Sequence, residues 1–162
     1  MKGLDRAIRY IGYLSGAVLA VLVLLVVYDA LMRYLFHSGS IALQELEWHL
    51  FDAVILLGIA YTLRENGHVR VDIFYDRFSV RTRALIDLFG TLFFILPFSA
   101  LIIYVGSDFV ALSFTQMESS SDPGGLPYRF LVKSLMPVTF LLLFLQGIAE
   151  IVKAYRALEA GQ

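Results

Sequence analysis

The chain has 162 residues, of which 59% are hydrophobic and 17% are charged, and its formal net charge is −1. Ordinary soluble domains hold about 45–50% hydrophobic and about 25% charged residues, and a soluble chain of this length could not bury so much apolar surface. The absence of cysteine excludes disulfides, thiolate metal sites and thiol nucleophiles. The composition therefore indicates one membrane domain over residues 1–162.

The first apolar segment, Ile11–Tyr28, follows a short basic head and carries no charge. As a helix it would measure about 27 Å, close to the hydrocarbon core of a bilayer at about 30 Å. A signal peptide is disfavoured because no small-residue cleavage site followed by polar sequence appears. The helical pattern continues to Phe36, and Asp29 and Arg33 have the i,i+4 spacing of an ion pair. We predict span one over 11–36, with this pair finishing the helix at the far membrane surface.

A second span is predicted over 43–64, after a turn at 37–40. It begins with an amphipathic turn that includes Glu45, Glu47 and Trp48, and Trp48 suits the membrane interface. Asp52 lies deeper, where a carboxylate usually faces protein or water rather than lipid. A structural or partner-facing role is favoured for Asp52, and a proton or ion ligand is the alternative.

The segment after span two is charged and basic. Asn66-Gly67 is a turn signal, and residues 69–75 form a semi-apolar stretch that we expect to lie flat at the membrane surface. Ser79 is a candidate cap for the next helix. The sequence predicts a basic interfacial segment between spans two and three, with these candidates for contact with lipid head groups: Arg70, Arg77, Arg81 and Arg83.

Spans three and four are predicted over 80–116 and 129–154, with a polar loop between them. Pro97 should kink span three, and Pro137 is a second kink candidate in span four. Gly58, Ala60 and nearby small residues indicate close helix packing.

The distribution of basic residues predicts the orientation. Four spans place both termini and the central segment on one side, and ten of the 13 lysines and arginines fall there. Basic residues concentrate on the cytoplasmic side of membrane proteins. The expected fold is an all-α integral membrane protein with four transmembrane helices and both termini in the cytoplasm.

No catalytic pattern stands out. The three histidines, His37, His49 and His68, do not form a facing pair inside the spans, and no carboxylates have metal-ligand spacing. The spans also lack the central charge or broken helix typical of a midplane transport site. These features favour a scaffold or accessory subunit over an enzyme.

The central stretch resembles a known family. An interfacial Glu-Trp opens a helix that runs through Gly58-Ile-Ala-Tyr-Thr-Leu-Arg64 and turns into Gly67-His-Val-Arg-Val-Asp-Ile73. This order, the basic start of span three and Leu135-Met-Pro137 resemble the small membrane subunit (DctQ-like) of tripartite ATP-independent periplasmic (TRAP) transporters. The similarity covers nearly the whole chain.

The resemblance implies a function and partners. Such subunits pair with a large multi-span membrane subunit that moves substrate by an elevator motion, and a soluble periplasmic protein binds and delivers the substrate. Uptake of organic acids is driven by a sodium gradient. We therefore expect a scaffold in the bacterial inner membrane that contacts lipids and these two proteins, with no nucleic acid, no cofactor in this chain, and sodium bound in the large subunit.

The resemblance also suggests residue roles. Glu45, Glu47, Trp48 and Asp52 would be partner contacts. The following residues would form the cytoplasmic turn motif: Arg64, Gly67, His68, Val71 and Asp72. Two alternatives remain: a dimeric proton-coupled multidrug exporter that depends on Asp52, and a four-span membrane enzyme of the glutathione-transferase type.

Overall fold

The computed structural model describes residues 2–65 and 78–160, and its regular elements there are all helical. Within these residues, four helical stretches are long and apolar enough to cross a membrane, which confirms the predicted all-α class with four spans. The elements are α1 (Lys2–Leu35), α2 (Ile41–Arg64), α3 (Val80–Gly90), a π-helical turn (Thr91–Ile95), α4 (Leu96–Thr115) and α5 (Phe130–Ala160). The third span consists of α3, the π turn and α4.

The helix starts have local causes. The α1 helix begins already at Lys2, and Asp5 in its first turn is favourable beside the positive end of the helix dipole. Ser40 caps α2 by accepting a hydrogen bond from the backbone N–H of Leu43. Ser79 caps α3 in the same way, through the N–H of Thr82, as the sequence predicted.

The distortion expected at Pro97 takes the form of the π turn. Proline has no N–H, and its ring crowds the carbonyl four residues earlier, which here belongs to Phe93. The backbone avoids this clash by forming a wider turn, in which the N–H of Leu96 donates to the carbonyl of Thr91. By contrast, α5 continues through Pro137 as one helix.

The spans form an open row rather than a closed bundle. Within the described residues, α2 packs against α1 and α5, and α5 packs against α2, α3 and α4, whereas α1 makes only marginal contact with α5. The order across the row is therefore α1, α2, α5, α4. Each inner span has two neighbouring spans and each edge span has one, so many large apolar side chains remain exposed.

Small residues set the distance between α1 and α2. A Cβ atom on Gly12 would lie 2.4 Å from the ring of Tyr61, so the two backbones approach at a point where only hydrogen fits. Beside it, the Ser15 hydroxyl donates to the Val54 carbonyl at 2.8 Å. Gly58 lies against Ser15, and Ala60 is 1% exposed, which agrees with the predicted close packing.

Candidate partner-binding site at the loop end

The two ends of the row differ in character. The starts of α2 and α5 lie together, because Arg129, the residue before α5, reaches Glu45 in α2. We call this the loop end, since it carries the connections 36–40 and 116–129; the opposite end is the terminal end. Within residues 2–65 and 78–160, no group of three or more histidine or acidic side chains could hold a metal ion. The loop end instead holds three polar features and a groove.

Glu45 fastens the 116–129 loop to α2. Its side chain is buried, and its carboxylate accepts hydrogen bonds from the Ser120 hydroxyl, from the Leu126 backbone N–H at 2.6 Å and from Nη2 of Arg129 at 2.9 Å. Hydrogen bonds to an ionised acceptor are stronger than neutral ones. We call this set the Glu45 latch. It gives the loop one position relative to α2 and α5.

A tight turn brings the loop close to Glu45. Asp122-Pro-Gly-Gly125 closes with a hydrogen bond from the Gly125 N–H to the Asp122 carbonyl at 3.0 Å. Gly124 has φ +83°, as the third position of a type II turn requires, and Pro123 suits the second position. A Cβ atom on Gly125 would lie 2.4 Å from Ser120 and 2.8 Å from the Glu45 carboxylate. The latch therefore needs glycine at 125.

Backbone hydrogen bonds also fix both ends of the 116–129 loop. At the end of α4, Met117 adopts φ 47°, and the N–H groups of Met117 and Glu118 bond to the carbonyls of Phe114 and Ser113. This is the Schellman ending, in which glycine is the usual left-handed residue. At the other side of the loop, the Arg129 N–H donates to the Glu118 carbonyl at 2.9 Å.

A second ion pair lies beside the latch. Lys133 Nζ donates to Oε2 of Glu118 at 2.5 Å, and the same ammonium lies 4.0 Å from the ring centroid of Phe109. The hydrogen bond from Lys133 holds the pKa of the Glu118 carboxyl below its usual value. Lys133 thus connects the loop, α4 and α5.

The buried position of Glu45 changes its expected role. The family resemblance suggests Glu45 as a partner contact, whereas the structure places it under the loop of its own chain with three donors. Its acceptor oxygens are therefore used within the chain, which disfavours a direct contact with a partner. Its donors lie 75 to 84 positions away in the sequence, so no local pattern could have paired them.

A third polar feature lies between α1 and α2. Arg33 pairs with Oδ2 of Asp29, which confirms the predicted i,i+4 ion pair, and Asp29 is completely buried. Oδ1 of Asp29 and Oε1 of Glu47 are buried without a hydrogen-bond partner in the described chain. Glu47 interacts electrostatically with both Asp29 and Arg33. Arg33 thus lies near both carboxylates and forms its ion pair with Asp29.

An apolar groove with a volume of about 340 Å³ lies between α2, α4 and α5. It is lined by Asp52, Ile55 and Leu56 of α2, Phe109 of α4, and Val132, Lys133 and Met136 of α5. The Asp52 side chain is exposed, as is Trp48 one turn earlier at 66%. A charge at the centre of a membrane helix costs about 2.5–3.5 kcal/mol, so the position of Asp52 in this groove is unusual.

The terminal end contains only part of the predicted motif within the described residues. Arg64 ends α2 and pairs with Glu65, and Arg81 is exposed near the start of α3. Arg83 donates from Nε to the Phe78 carbonyl at 3.0 Å. The remaining candidates, Gly67, His68, Arg70, Val71, Asp72 and Arg77, lie outside the described residues.

Comparison with known proteins identifies the family. Residues 22–157 match the family described as "Tripartite ATP-independent periplasmic transporters, DctQ component". The chain is also 24% identical, over 144 residues, to a "Putative TRAP transporter small permease protein" of Haemophilus influenzae (strain ATCC 51907 / DSM 11121 / KW20 / Rd), a match covering 88% of this chain and 85% of that relative. This family is a transporter component rather than an enzyme class. The chain is therefore a multi-pass membrane protein that belongs to the DctQ component family of TRAP transporters.

Proposed function

We propose that the chain is the small permease subunit of a secondary TRAP transporter, and that it acts as a fixed scaffold beside a large elevator-type membrane subunit. A periplasmic binding protein delivers an organic acid, and a sodium gradient drives its uptake. Family membership and the name of the Haemophilus relative support the subunit role. The sodium coupling, the substrate class and the elevator motion extend this by the family resemblance, with sodium bound in the large subunit.

The open row of helices is the observation that carries the scaffold role. Its surface presents large apolar side chains, such as Leu24, Phe94 and Tyr104, each more than 70% exposed. A membrane-spanning wall of this shape offers one face to lipid and the other to a partner. A closed four-helix bundle would use much of that surface for its own core.

The terminal end faces the cytoplasm in this proposal, and the loop end faces the periplasm of a bacterial inner membrane. The excess of basic residues at the terminal end supports this orientation. Arg70, Arg77, Arg81 and Arg83 would then lie near the lipid head groups of the cytoplasmic leaflet. The turn motif from Arg64 to Asp72 would shape the connection on the same side.

The loop end is the proposed contact region for the partner proteins. The Glu45 latch holds the 116–129 loop in one shape, and a surface that is already ordered loses less entropy when a protein docks on it. Glu47, Trp48 and Asp52 remain the candidate partner contacts, of which Trp48 and Asp52 are exposed. Trp48 offers a large apolar ring, a side chain enriched in interface hot spots.

Co-purification tests the subunit role. We would extract the tagged chain from its native membranes in mild detergent and identify its partners by mass spectrometry. A stoichiometric, hydrophobic, multi-span protein is the expected result. The complex, reconstituted in liposomes with its binding protein, should then take up substrate only under an inward sodium gradient.

The same preparation gives the contrary outcome. Recovery of the chain alone as a stable homodimer, with proton-coupled efflux that is lost in Asp52→Asn, would contradict the proposal and support the exporter alternative. The orientation is tested separately by single cysteines in this cysteine-free chain. Ser119→Cys should react with an impermeant thiol reagent added from the periplasmic side, and Gln162→Cys should react only after the membrane is opened.

A further inference from the structure

Asp52 lies within the span rather than at its edge, so span two carries a central charge that was not expected from the sequence. With a rise of about 1.5 Å per residue, it is about 10 Å along α2 from the Glu45 latch and about 18 Å from Arg64 at the terminal end. Its side chain is nevertheless exposed and lines the groove between α2, α4 and α5. A carboxylate at this depth is stable when it faces protein or water, and costly when it faces lipid.

The charge of Asp52 has no counterpart in the described chain. Glu45 pairs with Arg129, Asp29 pairs with Arg33 and Glu118 pairs with Lys133, whereas Asp52 has no ion-pair partner in the described ranges. Lys133 lines the same groove, but its ammonium donates to Glu118 and lies over the Phe109 ring. Asp52 therefore presents to the groove a carboxylate that forms no ion pair with the described residues.

Apart from Asp52 and Lys133, the side chains that line the groove are apolar. Ile55 and Leu56 form the α2 wall, Phe109 and Met136 form the opposite side, and methionine adapts readily to the shape of an incoming side chain. On the same helix, Phe51 is 54% exposed, and Ile55, which lines the groove, is 46% exposed. Apolar walls around a carboxylate without an ion-pair partner match a helix that carries apolar side chains and one basic residue.

We propose that this groove receives a transmembrane helix of the large subunit, whose arginine or lysine side chain pairs with Asp52. The inference rests on the proposed function and adds the place and chemistry of the contact. Lipid is the poorer occupant, because an acyl chain leaves the carboxylate unpaired and an anionic head group adds a second negative charge. A basic side chain satisfies the carboxylate while the groove excludes water from the pair.

The test uses the tagged chain co-expressed with the large subunit of the same transporter. Asp52→Asn keeps the shape and removes the charge, and Asp52→Lys reverses it. Asp108→Asn is the matched control, because Asp108 is an exposed carboxylate of α4 that does not line the groove. We expect the large subunit recovered per small subunit to fall several-fold in Asp52→Asn and about tenfold or more in Asp52→Lys, and to remain unchanged in the control.

Charge reversal then identifies the partner residue. Each arginine and lysine in the spans of the large subunit is replaced by glutamate and combined with Asp52→Lys. One such pair should restore recovery to near the wild-type level, which loss of folding could not explain. Equal recovery with wild type, Asp52→Asn and Asp52→Lys would overturn the proposal, and so would the absence of any rescuing pair.

The outcomes separate the two proposals. If the wild-type chain captures no large subunit, the proposed function itself is contradicted. If it captures the large subunit and the Asp52 variants do so equally, only the groove assignment is contradicted. A phospholipid that co-purifies with wild type and is lost in Asp52→Asn, while the complex persists, would replace the helix with a lipid in this groove.

Discussion

Glu45 and Arg129 are 84 positions apart in the sequence, yet 2.9 Å separates Oε1 of Glu45 from Nη2 of Arg129. This contact joins the first turns of α2 to the residue before α5 and holds the polar loop between spans three and four against span two. The two hairpins of the chain are thereby fastened at the loop end.

Replacement of Glu45 should free the loop. Glu45→Ala removes the acceptor for three donors and leaves the Arg129 guanidinium without its carboxylate. We expect trypsin to cleave after Arg129 faster, on the order of tenfold, because cleavage follows the population of the open loop. The rate is measured on the purified chain in detergent by mass spectrometry of the fragments.

Asp122→Ala is the matched control for Glu45→Ala. It removes one negative charge from an exposed position in the same loop, and its side chain makes no hydrogen bond in the described chain. Its cleavage rate should remain close to that of the wild type. Equal rates for Glu45→Ala and the wild type would show that the latch does not hold the loop.

Gly125→Ala should destabilise the same loop by a steric route. The added methyl group would lie 2.4 Å from Ser120 and 2.8 Å from the Glu45 carboxylate, so one of them must move. Overpacking of this kind costs about 1–3 kcal/mol, measured here as a lower thermal midpoint in detergent. Gly39→Ala, at a loop glycine with open space around it, should leave the midpoint nearly unchanged.

The Glu118–Lys133 pair predicts a pH dependence. Because the pKa of Glu118 is lower in the folded chain than its unfolded value of 4.5, its contribution to stability is fully present above pH 4.5. That contribution disappears as the pH falls through the lower, folded value. The thermal midpoint of wild type should exceed that of Glu118→Gln by a constant amount from neutral pH down to about pH 5, and the difference should close at lower pH.

The double variant Glu118→Gln/Lys133→Met controls for other titrating carboxylates, since it lacks both members of the pair. The difference in thermal midpoint between this double variant and Lys133→Met measures the effect of Glu118 when its partner is absent. That difference should vary little with pH. A wild-type difference that persisted unchanged well below pH 4 would contradict the assigned cause.

Gly12→Ala should separate α1 from α2. The new Cβ would lie 2.4 Å from the Tyr61 ring near its attachment, where the side chain has little freedom to move. The expected cost is about 1–3 kcal/mol in thermal or denaturant unfolding. Gly16→Ala, one turn further along α1, meets no atom within 4 Å and should be neutral or slightly stabilising.

A double-mutant cycle tests whether Tyr61 is the cause. Combining Gly12→Ala with Tyr61→Ala should cost less than the sum of the two single changes, because the smaller side chain leaves room for the methyl group. Strict additivity would mean that Gly12 acts through another contact.

Local features were predictable because their causes lie within a few residues. The apolar runs give the four spans, the i,i+4 spacing pairs Asp29 with Arg33, and Ser79 precedes the helix that it caps. Pro97 disturbs its own helix because its ring crowds its own preceding turn, although the sequence does not distinguish a kink from the observed π turn.

The order of the spans and the use of each polar side chain were decided by the tertiary structure. The row α1, α2, α5, α4 places the start of α2 beside the start of α5, so Glu45 lies under the loop, while Asp52 two turns later remains open to the groove. Both are carboxylates on one helix. They differ because donors from distant parts of the chain reach Glu45 and none reaches Asp52, and such long-range proximity leaves no local pattern in the sequence.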